Sequence, residues 1–347
     1  MNGLSDPPAV KPYMQPDLVN YLPAELANIA PQEIKSLFPN PTLVVLEGER
    51  DETLFISTLL HGNETTSFEV LQYLEQRYRD ATPSRNLMIF IGNVDATAAG
   101  KRYLPHQQDF NRIWAHTGPH DASEYHALAQ SVIEIARHSN LFASIDIHNN
   151  TGNNPHYGCV NTLRPADLQL ASLFGPLSVF YRNPSTTQSI AFAELCPAIT
   201  LECGQSGDID GRDAAIALIE KVLALDAFTT KPPEEPVRLF ETIGRVVIDP
   251  ECAISFDGSA AELSLTPELA TSNFIPMHEG HIWGRSQRAH SPLQVLDEHG
   301  RDLTGEFFRY DDGVIALNCD STPSMITFSL DAIRQDCLCY LMRTIEG

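Results

Sequence analysis

The stretch Leu59-Leu60-His61-Gly62-Asn63-Glu64-Thr65-Thr66 joins two runs of different periodicity. An apolar, strand-like run from Thr53 to Leu60 precedes the turn, and a helix-like run from Thr65 to about Ala81 follows it. His61 and Glu64 therefore lie on a strand-to-helix turn, where the ligands of α/β sheets usually gather. Imidazole nitrogen and carboxylate oxygen are both zinc donors, and a catalytic zinc takes three protein ligands and leaves one position open. The pair predicts two of those ligands.

His148 is the candidate for the third ligand, at the end of the strand-like run Leu141–His148. Asp146 lies two residues earlier, so both side chains point to the same face of that strand. A carboxylate beside a metal-binding histidine commonly fixes the tautomer and the orientation of the ring. His148 alone would better fit the polar end of a core strand, but together with His61 and Glu64 it favours a metal site.

Glu202 is the candidate general base, near the end of the apolar run Ala198–Cys203. A carboxylate in such a run is costly to bury without a partner. A water molecule activated by zinc would be a suitable partner, which would give Glu202 a catalytic role. A carboxylate that simply emerges at the edge of the sheet fits this segment equally well.

Arg102, Asn111 and Arg112 are the candidates for binding substrate, in an irregular polar segment between two predicted regular elements. Arginine binds carboxylates through two parallel hydrogen bonds, so these side chains could hold an anionic substrate. Arginines in loops are usually just solvated. The substrate-binding interpretation of these residues therefore depends on the other candidate site residues.

Four motifs occur in order along the chain: His61–Glu64, then Arg102-Tyr103 with Asp109–Arg112, then Asp146–Asn149, and then Leu201–Gly204. In this order and at this spacing, the chain resembles the aspartoacylase/succinylglutamate desuccinylase branch of the zinc carboxypeptidase family over roughly residues 42–230. The resemblance implies an α/β fold with a zinc-carboxypeptidase-like mixed central sheet and helices on both faces. It also implies a small β-rich C-terminal domain beside the active site.

The resemblance also assigns roles to residues of this sequence. His61, Glu64 and His148 match the zinc ligands, and Glu202 matches the catalytic carboxylate. Arg102 resembles the arginine that polarises the scissile carbonyl, and Asn111 and Arg112 resemble the pair that binds a substrate carboxylate. Three further residues are candidates for contacting the distal end of the substrate: Tyr157, Tyr181 and Arg182.

Strand-like and helix-like runs alternate from Thr42 to Phe228, which predicts a sheet covered by helices on both faces. Thr42–Leu46 and Thr53–Leu60 flank a polar turn and predict a β-hairpin. After a proline-rich linker, short β-like segments recur, with Met325–Leu330 as the last one. We therefore predict a catalytic domain at residues 1–230 and a small β-rich domain at residues 231–347.

Charge and targeting signals narrow the possible partners. The 347 residues include 23 Lys and Arg against 45 Asp and Glu, a formal net charge of −22. Such a chain repels phosphate backbones and anionic lipid, so we expect neither nucleic acid nor membrane as a partner. Met1–Asn20 lacks the basic and apolar regions of a signal peptide, and the seven cysteines form no CxxC motif. We therefore expect a cytoplasmic protein with reduced thiols.

The features together predict a zinc-dependent hydrolase, with one zinc ion per chain, that deacylates an N-acyl amino acid or cleaves another small anionic amide. An alternative with the same chemistry is a carboxypeptidase that trims peptide C-termini. A deacylase needs a small closed pocket, whereas a carboxypeptidase needs an open groove. An alternative from another class is a non-catalytic metal- or ligand-binding protein, which would have no need of Glu202 as a base. Whether the protein is a monomer or a homo-oligomer stays open.

Overall fold

The computed structural model describes residues 15–115, 123–233 and 236–345. We predict no signal peptide in residues 1–20, and most of these residues lie outside the described ranges. The strands are β1 (Asp17–Val19), β2 (Thr42–Leu46), β3 (Glu52–Thr58), β4 (Asn86–Ile91), β5 (Asn140–His148), β6 (Tyr157–Val160), β7 (Leu177–Phe180), β8 (Ala198–Glu202), β9 (Arg238–Ile248), β10 (Ile254–Ser255), β11 (Leu263–Leu265), β12 (Ile282–Ser286), β13 (Leu293–Leu296), β14 (Phe308–Asp311), β15 (Val314–Leu317), β16 (Thr322–Ser324) and β17 (Cys339–Thr344).

The helices are mostly short, and the longer ones lie in the first two thirds of the chain. The α-helices are α1 (Thr66–Tyr78), α2 (Val94–Ala99), α3 (Glu124–Arg137), α4 (Pro165–Phe174), α5 (Gln188–Ala193), α6 (Ile209–Ala224), α7 (Thr304–Phe307) and α8 (Leu330–Gln335). Short 3-10 helices occupy Ala24–Asn28, Pro31–Ser36 and Pro267–Thr271. None of the helices in the described ranges is long and apolar enough to cross a membrane.

A mixed central sheet forms the core, and its middle strands β4, β3, β5 and β8 are mutually parallel. Successive side chains of a strand point to opposite faces of the sheet, and the side chains of β3 pack against helices on both faces in this way. Leu54 and Ile56 pack in the cluster that contains α1, α4 and α6, whereas Phe55 packs with α3 and α5. The predicted mixed sheet with helices on both faces is thereby confirmed.

The predicted hairpin of Thr42–Leu46 with Thr53–Leu60 is wrong, because β2 and β3 are not neighbours. Strand β4 lies between them, antiparallel to β2 and parallel to β3. Its residues Leu87 to Ile91 are all buried, and a strand that is apolar on both faces belongs in the interior of a sheet with a partner on each side. Burial of β4 therefore outweighs the local tendency of the polar turn to form a hairpin.

The predicted β-rich C-terminal part is confirmed as a structural feature. A separate five-stranded sheet has the order β10-β11-β12-β15-β14, while β9, β13, β16 and β17 extend the central sheet. Because β9 pairs with β7 in parallel, the central sheet continues past residue 231. The domain boundary between residues 230 and 231 stays a prediction.

The predicted strand Met325–Leu330 is wrong, because β16 ends at Ser324 and α8 begins at Leu330. Met325 has a positive φ of 59°, which takes the chain out of the sheet. The backbone N–H of Met325 donates to Asn154 Oδ1 at 2.9 Å, and that of Ile326 donates to Asn273 Oδ1 at 2.8 Å. Side-chain amides therefore replace the neighbouring strand as hydrogen-bond partners of this segment.

The same segment packs closely against the loop that follows β5. A Cβ atom added at Gly152 would lie 1.9 Å from the carbonyl oxygen of Ile326, far inside any real contact. Asn273 also donates to the carbonyl of Asn153 at 2.9 Å, so the contact is reinforced beside the glycine. Only glycine at position 152 lets the C-terminal segment reach the loop at the end of β5.

We expect Gly152→Ala to lower the free energy of unfolding by about 1–3 kcal/mol, because backbone must move to admit the methyl group. Gly305→Ala is the matched control, since a Cβ at Gly305 in α7 meets nothing within 4 Å. Urea denaturation of both variants measures the effect. Equal free energies of unfolding for the two variants would contradict the close approach at Gly152.

Candidate metal centre and active site

His61, Glu64 and His148 come together at the carboxyl ends of β3 and β5. They are 2%, 6% and 4% exposed, respectively, and one donor atom from each lies within 4.8 Å of the others. β3 ends at Thr58, and Leu59 takes a positive φ of 54° at the start of the turn towards α1. The parallel pairing of β3 with β5 then places the two strand ends side by side.

The Glu64 carboxylate lies between the two imidazole rings. Its Oε1 is 2.7 Å from His61 Nδ1, and its Oε2 is 2.7 Å from His148 Nδ1. On the far side of the rings, His61 Nε2 is 2.8 Å from Asp109 Oδ1, and His148 Nε2 is 3.0 Å from Asp146 Oδ2. Each ring thus turns Nδ1 inwards and has Nε2 beside a carboxylate, the arrangement that orients metal-binding histidines.

The charges of the cluster favour a bound cation. Burial alone would raise the pKa of Glu64, yet the neighbouring imidazoles of His61 and His148 hold it well below its usual range. Burial alone would lower the pKa of His148, but the carboxylates of Asp146 and Glu64 raise it well above its usual range. The carboxylates that stabilise a proton on the ring would also stabilise a metal cation beside it. The residues could therefore bind a divalent metal.

Asp146, predicted to orient His148, is completely buried behind the ring. Its Oδ2 contacts His148 Nε2, and its Oδ1 accepts a 2.6 Å hydrogen bond from the Ser57 hydroxyl of β3. Ser57 and Asp146 are also register partners in the β3–β5 pairing. Both oxygens of the carboxylate are therefore held in place by the central strands.

Glu202 ends β8, the strand next to β5, and is the register partner of His148. Burial raises the pKa of Glu202 to about 8, with the carboxylates of Glu64 and Asp146 adding to the rise and the charges of His148 and Arg102 opposing it. Asn150 donates a short hydrogen bond from Nδ2 to Glu202 Oε2. The structure thus places the Glu202 carboxyl group beside the cluster of His61, Glu64 and His148.

Arg102 lies against the cluster, and its side chain is 34% exposed. Its guanidinium donates to Glu64 Oε1 at 3.2 Å and to Asp109 Oδ2 at 3.4 Å. The carbonyl of Arg102 also accepts a 3.1 Å hydrogen bond from the backbone N–H of Gly62. The loop that carries Arg102 is therefore tied directly to the turn that carries His61 and Glu64.

Asn111 and Arg112 occupy different surroundings. Asn111 Nδ2 is 3.2 Å from His148 Nε2, and Asn111 Oδ1 accepts a 3.0 Å hydrogen bond from the backbone N–H of Gln188 at the start of α5. Arg112 donates to the carbonyl of Asn111 at 2.9 Å. Asn111 thus fixes the local packing, and Arg112 lines the cavity.

A cavity of about 680 Å³ opens over the cluster. The C-terminal part of the chain forms one of its walls with Met325, Thr327 and Tyr340. Of the candidates for the distal end of the substrate, Tyr157 and Tyr181 line this cavity, whereas Arg182 lines an adjoining one of about 760 Å³. The predicted site residues that line the main cavity are His61, Glu64, Arg102, Asn111, Arg112, His148 and Glu202.

Sequence reasoning missed Asp109 and Asn150 as site residues. Asp109 lies in the motif Asp109–Arg112, but the sequence does not show that its carboxylate contacts His61 and Arg102. Asn150 follows His148 by two residues, and only the fold shows that it reaches Glu202. The C-terminal wall of the cavity carries no motif, and its position depends on long-range packing.

The family model of the succinylglutamate desuccinylase/aspartoacylase catalytic domain matches residues 50–225, just over half of the chain. The chain belongs to this family. The match contains all the predicted site residues, from His61 to Glu202. Members of the succinylglutamate desuccinylase/aspartoacylase family belong to the wider zinc carboxypeptidase-like superfamily, which confirms the resemblance seen in the motifs.

Solved structures show the same fold. Murine aminoacylase 3 has 18% sequence identity and a TM-score of 0.59, and the match covers 85% of this chain and 96% of that chain. The succinylglutamate desuccinylase of Chromobacterium violaceum has 16% identity, 90% coverage of both chains and a TM-score of 0.57. A succinylglutamate desuccinylase/aspartoacylase from Rhodobacter sphaeroides has 15% identity, 88% coverage of both chains and a TM-score of 0.58. No curated protein sequence matches the chain.

We expect the protein to bind one equivalent of a divalent metal, and His61→Ala and His148→Ala to lower its affinity more than about 100-fold. Loss of a residue that only orients a ligand typically costs 10–100-fold, and loss of the ligand itself should cost more. His138→Ala is the matched control, because this exposed histidine contacts the carbonyl of Glu134 in its own helix. Metal titration followed by elemental analysis measures both quantities, and unchanged affinity in His148→Ala would contradict the site.

Proposed function

We propose that the protein is a zinc-dependent hydrolase that removes the acyl group from an N-acyl amino acid or cleaves a closely similar small amide. The observation that carries the proposal is the convergence of His61, Glu64 and His148 beside Glu202 in one cavity. Family membership supports an amide hydrolase, because the family model describes deacylating and desuccinylating enzymes. The donor set and its buried position support zinc as the metal.

The donor set fits zinc well. Two imidazole nitrogens and one carboxylate oxygen are the protein ligands of many catalytic zinc sites, and they leave one position open. When bound, zinc would lower the pKa of a water molecule to about 7 and polarise the carbonyl group of the substrate. Asp109 and Asp146 would hold the His61 and His148 rings in the orientation that binding requires.

Glu202 would move the proton in this reaction. It takes a proton from the attacking water and later gives it to the nitrogen of the leaving amine. A general base works best when its pKa lies near the working pH, and burial raises the pKa of Glu202 to about 8. Asn150 holds one oxygen of this carboxyl group, so its position towards the cavity is fixed.

Two arginines would bind the substrate. Arg102 uses part of its guanidinium for Glu64 and Asp109, and its other N–H groups can donate to the carbonyl oxygen as negative charge develops there. Arg112 lines the cavity and donates a hydrogen bond to the carbonyl of Asn111. Its planar guanidinium can bind a substrate carboxylate through two hydrogen bonds. The guanidinium also supplies the local positive charge that this acidic chain needs for an anionic substrate.

The adjoining cavity favours a second candidate, a carboxypeptidase that acts on longer substrates. This cavity of about 760 Å³ shares Arg102, Arg112 and Tyr340 with the main one, so the two form a continuous depression. An N-acyl amino acid would fill only part of that space, whereas a peptide could extend along it. The C-terminal wall restricts the main cavity on one side, which favours the smaller substrate.

We expect the zinc-loaded protein to hydrolyse at least one substrate in a panel of N-acyl amino acids and C-terminally free dipeptides. Preference for an N-acyl amino acid would indicate the deacylase, and preference for a dipeptide would indicate the carboxypeptidase. Glu202→Ala should lower kcat by roughly 10²–10⁴-fold, the usual contribution of a general base. Glu194→Ala is the matched control, an exposed glutamate at the end of α5.

Methyl esters of the same substrates test whether Arg112 binds the substrate carboxylate. Esterification removes the charge that Arg112 is proposed to bind, so it should raise KM. Stoichiometric zinc binding without any turnover would contradict the hydrolase and favour a binding protein. Turnover that survives in Glu202→Ala would contradict the role of this carboxyl group.

A further inference from the structure

Asn150 is a buried polar residue in the loop after β5. It is 6% exposed and lines the main cavity. Its Nδ2 donates to Glu202 Oε2. An amide nitrogen only donates and an amide oxygen only accepts, so with Nδ2 on Glu202 the oxygen of Asn150 is left for another partner.

That oxygen has no partner among the residues that the structure describes. A buried acceptor without a hydrogen bond is costly, and nearly all such groups in folded proteins have one. Because Asn150 lines the cavity, a ligand there can supply the missing donor. The ligand group must be an N–H or O–H, since a carbonyl oxygen accepts only.

Thr200 gives a useful comparison in the same cavity. It lies two residues before Glu202 on the same face of β8, and its Oγ1 also lacks a partner within the described part of the chain. A hydroxyl group rotates and can donate or accept, so Thr200 does not select between kinds of ligand. The oxygen of Asn150 can only accept, and this makes it selective.

We propose that Asn150 determines specificity for secondary amides, by accepting a hydrogen bond from the N–H of the scissile amide while Nδ2 holds Glu202. The inference rests on the proposed amide hydrolase activity and names the bond that the same site selects. Esters have no such N–H, and N-methyl amides have lost it. Both should be poorer substrates than the secondary amide with the same acyl group.

The arrangement also suits the proton transfer. During hydrolysis, an oxygen of water bonds to the carbonyl carbon, and its proton passes to Glu202. The C–N bond then breaks, and Glu202 returns the proton to the nitrogen, which leaves as an amine. A hydrogen bond from the amide N–H to Asn150 would turn the lone pair of the nitrogen away from Asn150 and towards the neighbouring Glu202.

The test compares three substrates that share one acyl group and one amino acid skeleton: the amide, its N-methyl analogue and the corresponding ester. We expect Asn150→Ala to lower kcat/KM for the amide roughly tenfold more than for the other two, which is the usual effect of one hydrogen bond. Asn150→Asp keeps an oxygen acceptor but not the donor, so all three rates should fall while the wild-type preference for the amide remains.

Asn318→Ala is the matched control, because the Asn318 side chain donates to the carbonyl of Gly305 and lines neither cavity. Circular dichroism checks that each variant folds. Equal losses for all three substrates in Asn150→Ala would overturn the inference, since Asn150 would then act only through Glu202.

A binding measurement separates this inference from the proposed function. Glu202→Ala protein, which cannot move the proton and adds no donor beside Asn150, is titrated by calorimetry with the amide and with its N-methyl analogue. We expect tighter binding of the amide, and loss of that difference when Asn150→Ala is added. If the wild-type protein hydrolyses no substrate in the panel, and the amide nevertheless binds more tightly than its N-methyl analogue, the hydrolase proposal fails and the role of Asn150 stands. Equal binding of the two compounds, or binding of neither, overturns the inference.

Discussion

The Glu64 carboxylate, buried between the imidazole rings of His61 and His148, is the interaction on which the rest of the site depends. An isolated buried carboxylate would cost several kcal/mol, so it persists only with close partners of opposite charge or with a metal ion. Each ring lies 2.7 Å from one of its oxygens. Asp109 and Asp146 in turn hold the outer nitrogens of the rings. None of these groups could be buried alone, and together they form a preorganised cation site.

The central sheet provides this arrangement through register. Parallel pairing of β3, β5 and β8 places the turn after β3, His148 at the end of β5 and Glu202 at the end of β8 next to one another. The polar groups therefore collect at one edge, while apolar residues such as Leu54 and Phe55 fill the layers beneath them. The C-terminal segment then closes one side of the cavity, through the contact of Ile326 with Gly152.

The grouping of His61, Glu64 and His148 could be predicted, because each follows an apolar run that identifies a strand end. The pairing of β2 with β4 could not, since it depends on which strand gains most from burial on both faces. The path of Met325 could not either, because its backbone donates to Asn154, a side chain 171 residues away in the sequence. Asp109 and Asn150 lie in loops without periodicity, where only three-dimensional contacts identify a role.

The most direct test of the central claim is a crystal structure of the zinc-loaded protein, with the ion located by anomalous scattering at the zinc absorption edge. We predict one peak per chain, about 2.0–2.2 Å from one nitrogen of His61, one oxygen of Glu64 and one nitrogen of His148. Nδ1 should be the coordinating nitrogen in both rings, with Asp109 and Asp146 still beside Nε2. A peak elsewhere, or a Glu64 carboxylate that still bridges the two rings while zinc is bound at another place, would contradict the claim.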